Sequence, residues 1–551
     1  MKRDPLLLYP LDESAALTGN LQSCLNAYGL YSTLHFVLRL SPAIHRTLAS
    51  TPTGIYTGAQ LSFEQVQAFS TYLHESVHWW QHIGSTAGLM LSLSHPVQSH
   101  ANYTQLKIFL REVGPKKSIL RFNKKPEDKS RHSKAGLRAT NIIVNNFKDI
   151  QFFQTLAMAP ELFRQHSIGD DPYFENVGHS YYIMYSNTLR LLSDQFDPDR
   201  TFLPDPKAWE PAFDKLEKEK TEGFYYGSPI AIPPVGLREI FEGQARFIQL
   251  QYLHFGSGGR FGWDDARDFG MFSQVYITAF EQFLRLTDSE WPETIDDPLV
   301  GLFLVVCDMT INSGDGFPLP LVSPENFIND NDPGRRFTFL SRLIALKAPH
   351  LKTLIRSYSR DEYVQATEEL AKAWRTSSPL KIANAVADWS QTKPRLIELM
   401  EEDRIFRFSL QDMPARLLFA RYINFNRDKS KRPEMLCWPG AWFAGERVSE
   451  ESMAVFDRNR ALFVDKENDD GIFPAMLTDK DQDVVHETFN QFYAWIVNYD
   501  LISQWIVSDR PFIYNYEWLS KTGRPEEVKG WAARAFEHAF GVSPDDFEIL
   551  E

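Results

Sequence analysis

Apolar residues along this chain recur mostly at the three- and four-residue spacing of helices, with one early stretch that partly alternates. That stretch, residues 30–40, is rich in β-formers (Tyr31, Thr33, Phe36, Val37) and predicts a strand. Gly54 to Gly58 predicts a second short strand or a turn. Ser62 and Gln65 then stand at the N-cap and N3 positions of a capping box, with Leu61 and Val66 at the flanking staple positions. They predict a helix from Phe63 to Ile83, with Gly84 near its C-cap. Helical periodicity returns over 139–165, 175–195, 235–254, 264–287 and 298–312, and fills most of 337–425 and 480–540. Residues 313–335 are dense in Gly, Pro, Asn and Asp and read as a loop or boundary. The expected fold class is mainly α with a small β-sheet. A division near residue 315 gives a first domain, 1–315, and an α-helical accessory region, 316–551, suited to substrate recognition.

One segment departs from this pattern. Between 116 and 138, Lys116, Lys117, Arg121, Lys124, Lys125, Lys129, Arg131, Lys134 and Arg138 face only Glu127 and Asp128. Such a charge run predicts an exposed basic loop or a disordered insert.

Composition narrows the function classes. At 551 residues, with 43% hydrophobic and 24% charged residues, the chain has the make-up of a globular protein with large cores. A net charge of −14 disfavours a general nucleic-acid binder. Three distant cysteines, Cys24, Cys307 and Cys437, form no C-x-x-C pair, so a reducing compartment and no thiolate metal site are expected. Asp12 and Glu13 interrupt the first apolar run, which makes a poor signal peptide, and Pro298–Val306 is too short to span a bilayer. The expectation is a soluble cytoplasmic protein with no membrane partner; oligomeric state is not readable.

The chemistry concentrates in His74-Glu75-Ser76-Val77-His78, an H-E-x-x-H inside the capped helix. On a helix the two imidazoles lie one turn apart on one face and can hold one Zn²⁺. The adjacent Glu75 carboxylate can take a proton from a metal-activated water. His82 continues the stripe, but at about 1.5 Å rise per residue it stands about 12 Å from His74 along the axis. It is therefore expected beside the metal, facing the substrate or in a structural role, rather than as a ligand. A third ligand is sought on the helix predicted over 235–254, where Glu239 and Glu242 lie among Leu237, Ile240, Phe241 and Ala245. Either could instead pair with Arg238 or Arg246.

The two motifs together resemble the zincin metallopeptidases, in particular the gluzincin type, in which a later helix supplies a glutamate, often within E-G-x-A. This chain has Glu242-Gly243-Gln244-Ala245. The longer metzincin pattern is not met, because position 81 is Gln and position 84 Gly. The resemblance implies a zincin-like domain with His74, His78 and Glu242 as zinc ligands and Glu75 as general base. Glu239 stays open as the rival ligand. A Tyr or His beside the oxyanion is also implied, and the His179, Tyr181, Tyr182, Tyr185 cluster offers candidates. The expected activity is zinc-dependent hydrolysis of a peptide or protein substrate. The alternatives are hydrolysis of a non-peptide amide, or a helical scaffold with a degenerate or structural site.

Overall fold

The computed structural model describes residues 28–50, 61–125, 132–165, 168–477, 479–516, 518–519 and 525–550. The expected turn at Gly54–Gly58 lies outside them. The chain is mainly helical with a small mixed sheet. The stretch 30–40 is a hairpin rather than one strand: β1 (Gly29–Ser32) pairs antiparallel with β2 (Val37–Leu40). Its β-formers suit both strands, and the chain reverses at Thr33–Phe36, with Phe36 at φ 56°. A two-residue strand, β3 (Lys116–Lys117), follows. Far downstream come β4 (Phe463–Lys466), β5 (Asp469–Pro474) and β6 (Glu548–Ile549). The main sheet runs β1-β2-β4-β5, with β2 and β4 parallel and β1 on its edge. No helix among the described residues is long and apolar enough to cross a membrane.

This sheet takes two strands from each side of the division expected at residue 315. The principal core is likewise continuous from Tyr31 to Tyr499. The helix Met413–Lys431 reaches back to the N-terminal half, where Asn426 Nδ2 donates to the Gly84 carbonyl (3.2 Å). Residue 315 therefore does not separate two cores. A second, smaller cluster joins Phe109, Ile119 and Phe122 to Trp505, Phe536 and Phe547.

The second cluster corrects the expectation for 116–125 and 132–138; the rest of that segment, 126–131, lies outside the described residues. Interleaved apolar residues give this segment an inward face that its charges obscured. Lys116 and Lys117 pair in parallel with β6, a helix runs Ile119–Lys124, and Lys134 opens a helix that reaches Met158. Lys117 is buried; its ammonium donates to the Arg510 carbonyl and lies over the Phe512 ring. Burial lowers its pKa to about 8.

The motif helix runs Phe63–Gly84 and begins on the expected capping box: Ser62 Oγ accepts from Gln65 N (3.3 Å) and Gln65 Oε1 from Ser62 N (3.0 Å). Every residue from Leu73 to Gly84 is buried. Trp79 and Trp80 are core residues, and Trp80 Nε1 donates to the Asn459 carbonyl (2.7 Å). Against this helix packs the glutamate helix, Leu237–Gly256. Gly243 marks a close approach: a Cβ there would lie 3.3 Å from Ala279 Cβ and 3.4 Å from Phe303 Cζ. Its absence lets the Gln274–Thr287 helix close on the glutamate helix.

Candidate metal centre

Two buried helices carrying histidines and a glutamate must satisfy polar atoms where no water reaches. His74, Glu75, His78 and Glu242 are at most 3% exposed. The Nε2 atoms of His74 and His78 are 3.2 Å apart, and Glu242 Oε2 lies 3.5 Å from the first and 3.4 Å from the second. Three donors about 2.0–2.1 Å from one tetrahedral ion are separated by roughly 3.4 Å. The three atoms thus already stand at the mutual spacing that such an ion requires. They form the group among the described residues able to hold a metal ion. Both Glu242 oxygens, His74 Nδ1 and Glu75 Oε2 are buried without a hydrogen-bond partner. Orphaned acceptors in a core are costly, and a cation between them removes the cost for Glu242.

Gln81 orients one ligand. Its amide nitrogen donates to the Phe241 carbonyl and to Gln244 Oε1, both at 2.9 Å. Its oxygen therefore faces His78 Nδ1 at 2.8 Å and must accept from it. That fixes the tautomer of His78 with the Nε2 lone pair turned toward Glu242 and His74.

Strand β1 sets the environment of Glu75. A Cβ on Gly29 would fall 2.7 Å from Glu75 Cγ and 2.8 Å from Oε1, so any other residue there would have to displace the Glu75 side chain. The Tyr31 backbone amide donates to the carboxylate, yet burial dominates and raises the pKa of Glu75 to about 8. His78 is pushed down by burial but further up by the Glu242 and Glu75 carboxylates, to about 8. Burial lowers His74 to about 4, and the two imidazoles hold Glu242 well below the carboxylate range despite its burial. In metal-free protein the cluster is thus a set of opposed charges in a dry core.

Comparison with known protein families, curated proteins and solved structures finds no match. The geometry is therefore the only guide to the site.

It places the other sequence candidates elsewhere. Glu239 is no rival ligand: its Oε2 accepts from Gly236 N (2.9 Å) and caps the glutamate helix one turn before Glu242. His82 is outside the ligand group, as its rise along the helix required. It is packed between Tyr31 and Phe241, with ring centroids 5.4 Å from each, and burial lowers its pKa to about 3. The four residues proposed for the oxyanion have other partners. His179 Nε2 lies 3.4 Å from Asp149 Oδ2 and 3.5 Å from Glu175 Oε2. The hydroxyls of Tyr181, Tyr182 and Tyr185 donate to Asp332, Glu210 and Asn331. Tyr181 and Tyr185 are buried packing residues whose hydroxyls are tied down, and the polar ends of the half-buried His179 and Tyr182 are engaged elsewhere. The tyrosine ring that packs on the cluster is Tyr276, 5.9 Å from the His74 ring, with the Arg246 guanidinium stacked 3.8 Å over its face. Gly29, Tyr31, Gln81, Gln244 and Tyr276 were not singled out from the sequence as site residues, and Arg246 was named only as a possible ion-pair partner. A faint signal existed for Gln81 and Gln244: each is an amide one turn or less from a ligand on a helix face that is otherwise apolar.

Proposed function

We propose that this chain is a zinc-dependent hydrolase of the zincin type that cleaves an amide bond in a peptide or protein. The observation that carries the reading is the His74, His78, Glu242 triangle with 3.2–3.5 Å sides, with Glu75 next to it in sequence. His74 and His78 through Nε2, and Glu242 through Oε2, would hold the ion. A two-nitrogen, one-oxygen donor set suits zinc, and three protein ligands leave a coordination position open, as catalytic sites do. Bound there, zinc would lower the pKa of a water towards about 7 and polarise the scissile carbonyl.

The protein's own groups supply the rest. Glu75 takes the proton of the attacking water and returns it to the leaving amine. The Tyr31 amide holds the carboxylate in place, and the Gly29 backbone seats it. Gln81 keeps the Nε2 lone pair of His78 available. The dry surroundings strengthen each of these interactions.

The burial of all four side chains favours a second reading, in which the metal only braces two helices. Glu75 speaks against it, because a brace has no use for a carboxylate with an orphaned oxygen beside the ligands. Metal analysis of the purified chain and a peptide-library cleavage assay test the proposal together. One zinc per chain, with cleavage abolished by a chelator and restored by zinc, is expected. Metal-independent cleavage, or a chain that takes up no zinc, contradicts it.

A further inference from the structure

A cavity of about 270 Å³ lies under the β1–β2 turn, between that turn and the helices Thr86–Glu112 and Lys134–Met158. It approaches the ~300–1,000 Å³ of small-molecule sites. A second cavity of about 10 Å³ is lined by the ligand His78, and Thr33, His82 and Met158 line both. The small cavity is of the order that one water fills, and it separates the large cavity from the metal ligands. The two cavities are therefore neighbours, and the small one touches one of the proposed ligands, His78.

The lining decides what it would hold. Leu34, Phe36, Leu91, Phe152 and Met158 give it apolar walls. Its one ammonium, Lys148, is paired with Asp171 at 3.0 Å, so neither charge is free. Gln154 is tied to Ser94 Oγ at 2.8 Å. His95 has a buried Nε2 with no partner, and burial holds its pKa at about 4, so it stays neutral. A charged ligand group in the large cavity would be desolvated without a counter-charge, because Arg238, whose buried Nε has no partner, lines only the small cavity. An uncharged apolar group would bury its surface and leave His95 one hydrogen bond to make.

We infer that this cavity takes an uncharged, largely apolar group next to the scissile amide, which reaches His78 through the small cavity. The inference rests on the hydrolase reading above and names the substrate class for the same site.

Three zinc-binding probes test it by calorimetry on the zinc-loaded full chain: acetohydroxamate, 4-phenylbutanohydroxamate and succinic monohydroxamate. The phenylbutano probe should bind at least about tenfold tighter than acetohydroxamate, and the succinic probe no tighter. Thr155→Trp, which fills the cavity, should bring the phenylbutano probe down to the acetohydroxamate value. The wild-type comparison decides the matter even if that variant does not fold. Equal affinities, or a preference for the succinic probe, overturn the cavity assignment while metal analysis still shows bound zinc. A chain that takes up no zinc overturns the hydrolase reading itself, before any probe is added.

Discussion

Two buried clusters in this protein hold a carboxylate between helices, and they differ in how its oxygens are met. Asp308, on the Pro298–Ile311 helix, is 4% exposed. Its Oδ1 accepts from the Lys429 ammonium and from Asn312 Nδ2, and its Oδ2 from the Tyr363 hydroxyl (2.7 Å). Glu242 is fully buried, and neither of its oxygens has a hydrogen-bond donor. The two imidazoles near it stand at the separation of co-ligands. A buried charge with a complete set of donors braces a fold; one with an incomplete set points to a missing cation. The Asp308 cluster is finished by the chain itself, and the Glu242 cluster is not.

Breaking the finished cluster should have the largest effect. Lys429→Met leaves Asp308 buried without its cation and should cost about 3–5 kcal/mol, read from the denaturant midpoint. In the unfinished cluster the corresponding cut, Glu242→Ala, removes the carboxylate that keeps His78 protonated in metal-free protein, and the imidazole can then shed its proton and stay buried as a neutral group. Apo stability should change far less than for Lys429→Met, while zinc affinity falls by more than about 100-fold, read by chelator competition. An apo loss as large as that of Lys429→Met would make the two clusters alike. Gln81→Leu sharpens the contrast further. It spares every ligand but frees the tautomer of His78, so zinc affinity should fall about 10–100-fold with little loss of fold.

Acidity gives the next test. His78 is protonated below about pH 8 in metal-free protein, and zinc needs its neutral form. Apparent zinc affinity should therefore fall below pH 8, approaching about tenfold per pH unit, and level off above it. A flat profile from pH 6 to 9 would contradict the charge arrangement drawn for the site.

The smallest effect is expected at a half-open pair that neither braces the core nor waits for a metal. His100 lies 3.0 Å from Asp194 and 3.6 Å from Asp412, and its side chain is 20% exposed. Burial lowers its pKa, but Asp412 and then Asp194 outweigh burial and raise it. A raised histidine pKa stabilises below the unfolded value of about 6.5 and ceases to as pH rises through the folded value. His100→Gln should thus cost less than about 1 kcal/mol at pH 5.5 and nothing at pH 9, by thermal melts at both.

The comparison also explains what could be read in the sequence. The motif helix was legible because its signals are local: Ser62 and Gln65 cap it, and His74, Glu75 and His78 fall within two turns. Glu242 was legible as a candidate because an acid on an apolar helix face stands out. Choosing it over Glu239 needed the structure, since both lie on one face and only Glu239 finds a donor in Gly236. The donor set of Asp308 was not legible, because Lys429 and Tyr363 come from helices 121 and 55 residues away. The sheet was half legible for the same reason. The β1–β2 hairpin is local, whereas its parallel pairing with β4 depends on residues more than four hundred positions later. The described parts of the basic segment 116–138 misled because charge density outweighed Ile119 and Phe122, whose core cluster also draws on Phe109 and on residues beyond 500.

Glu75 separates a working centre from a metal brace most directly. Glu75→Gln keeps the shape of the side chain and both imidazoles but removes the proton acceptor. The purified variant should hold one zinc per chain and unfold at the wild-type temperature, with cleavage of the wild-type substrate reduced about 10²–10⁴-fold. Wild-type turnover in that variant, with zinc still bound, would contradict the role assigned to Glu75 and the hydrolase reading with it.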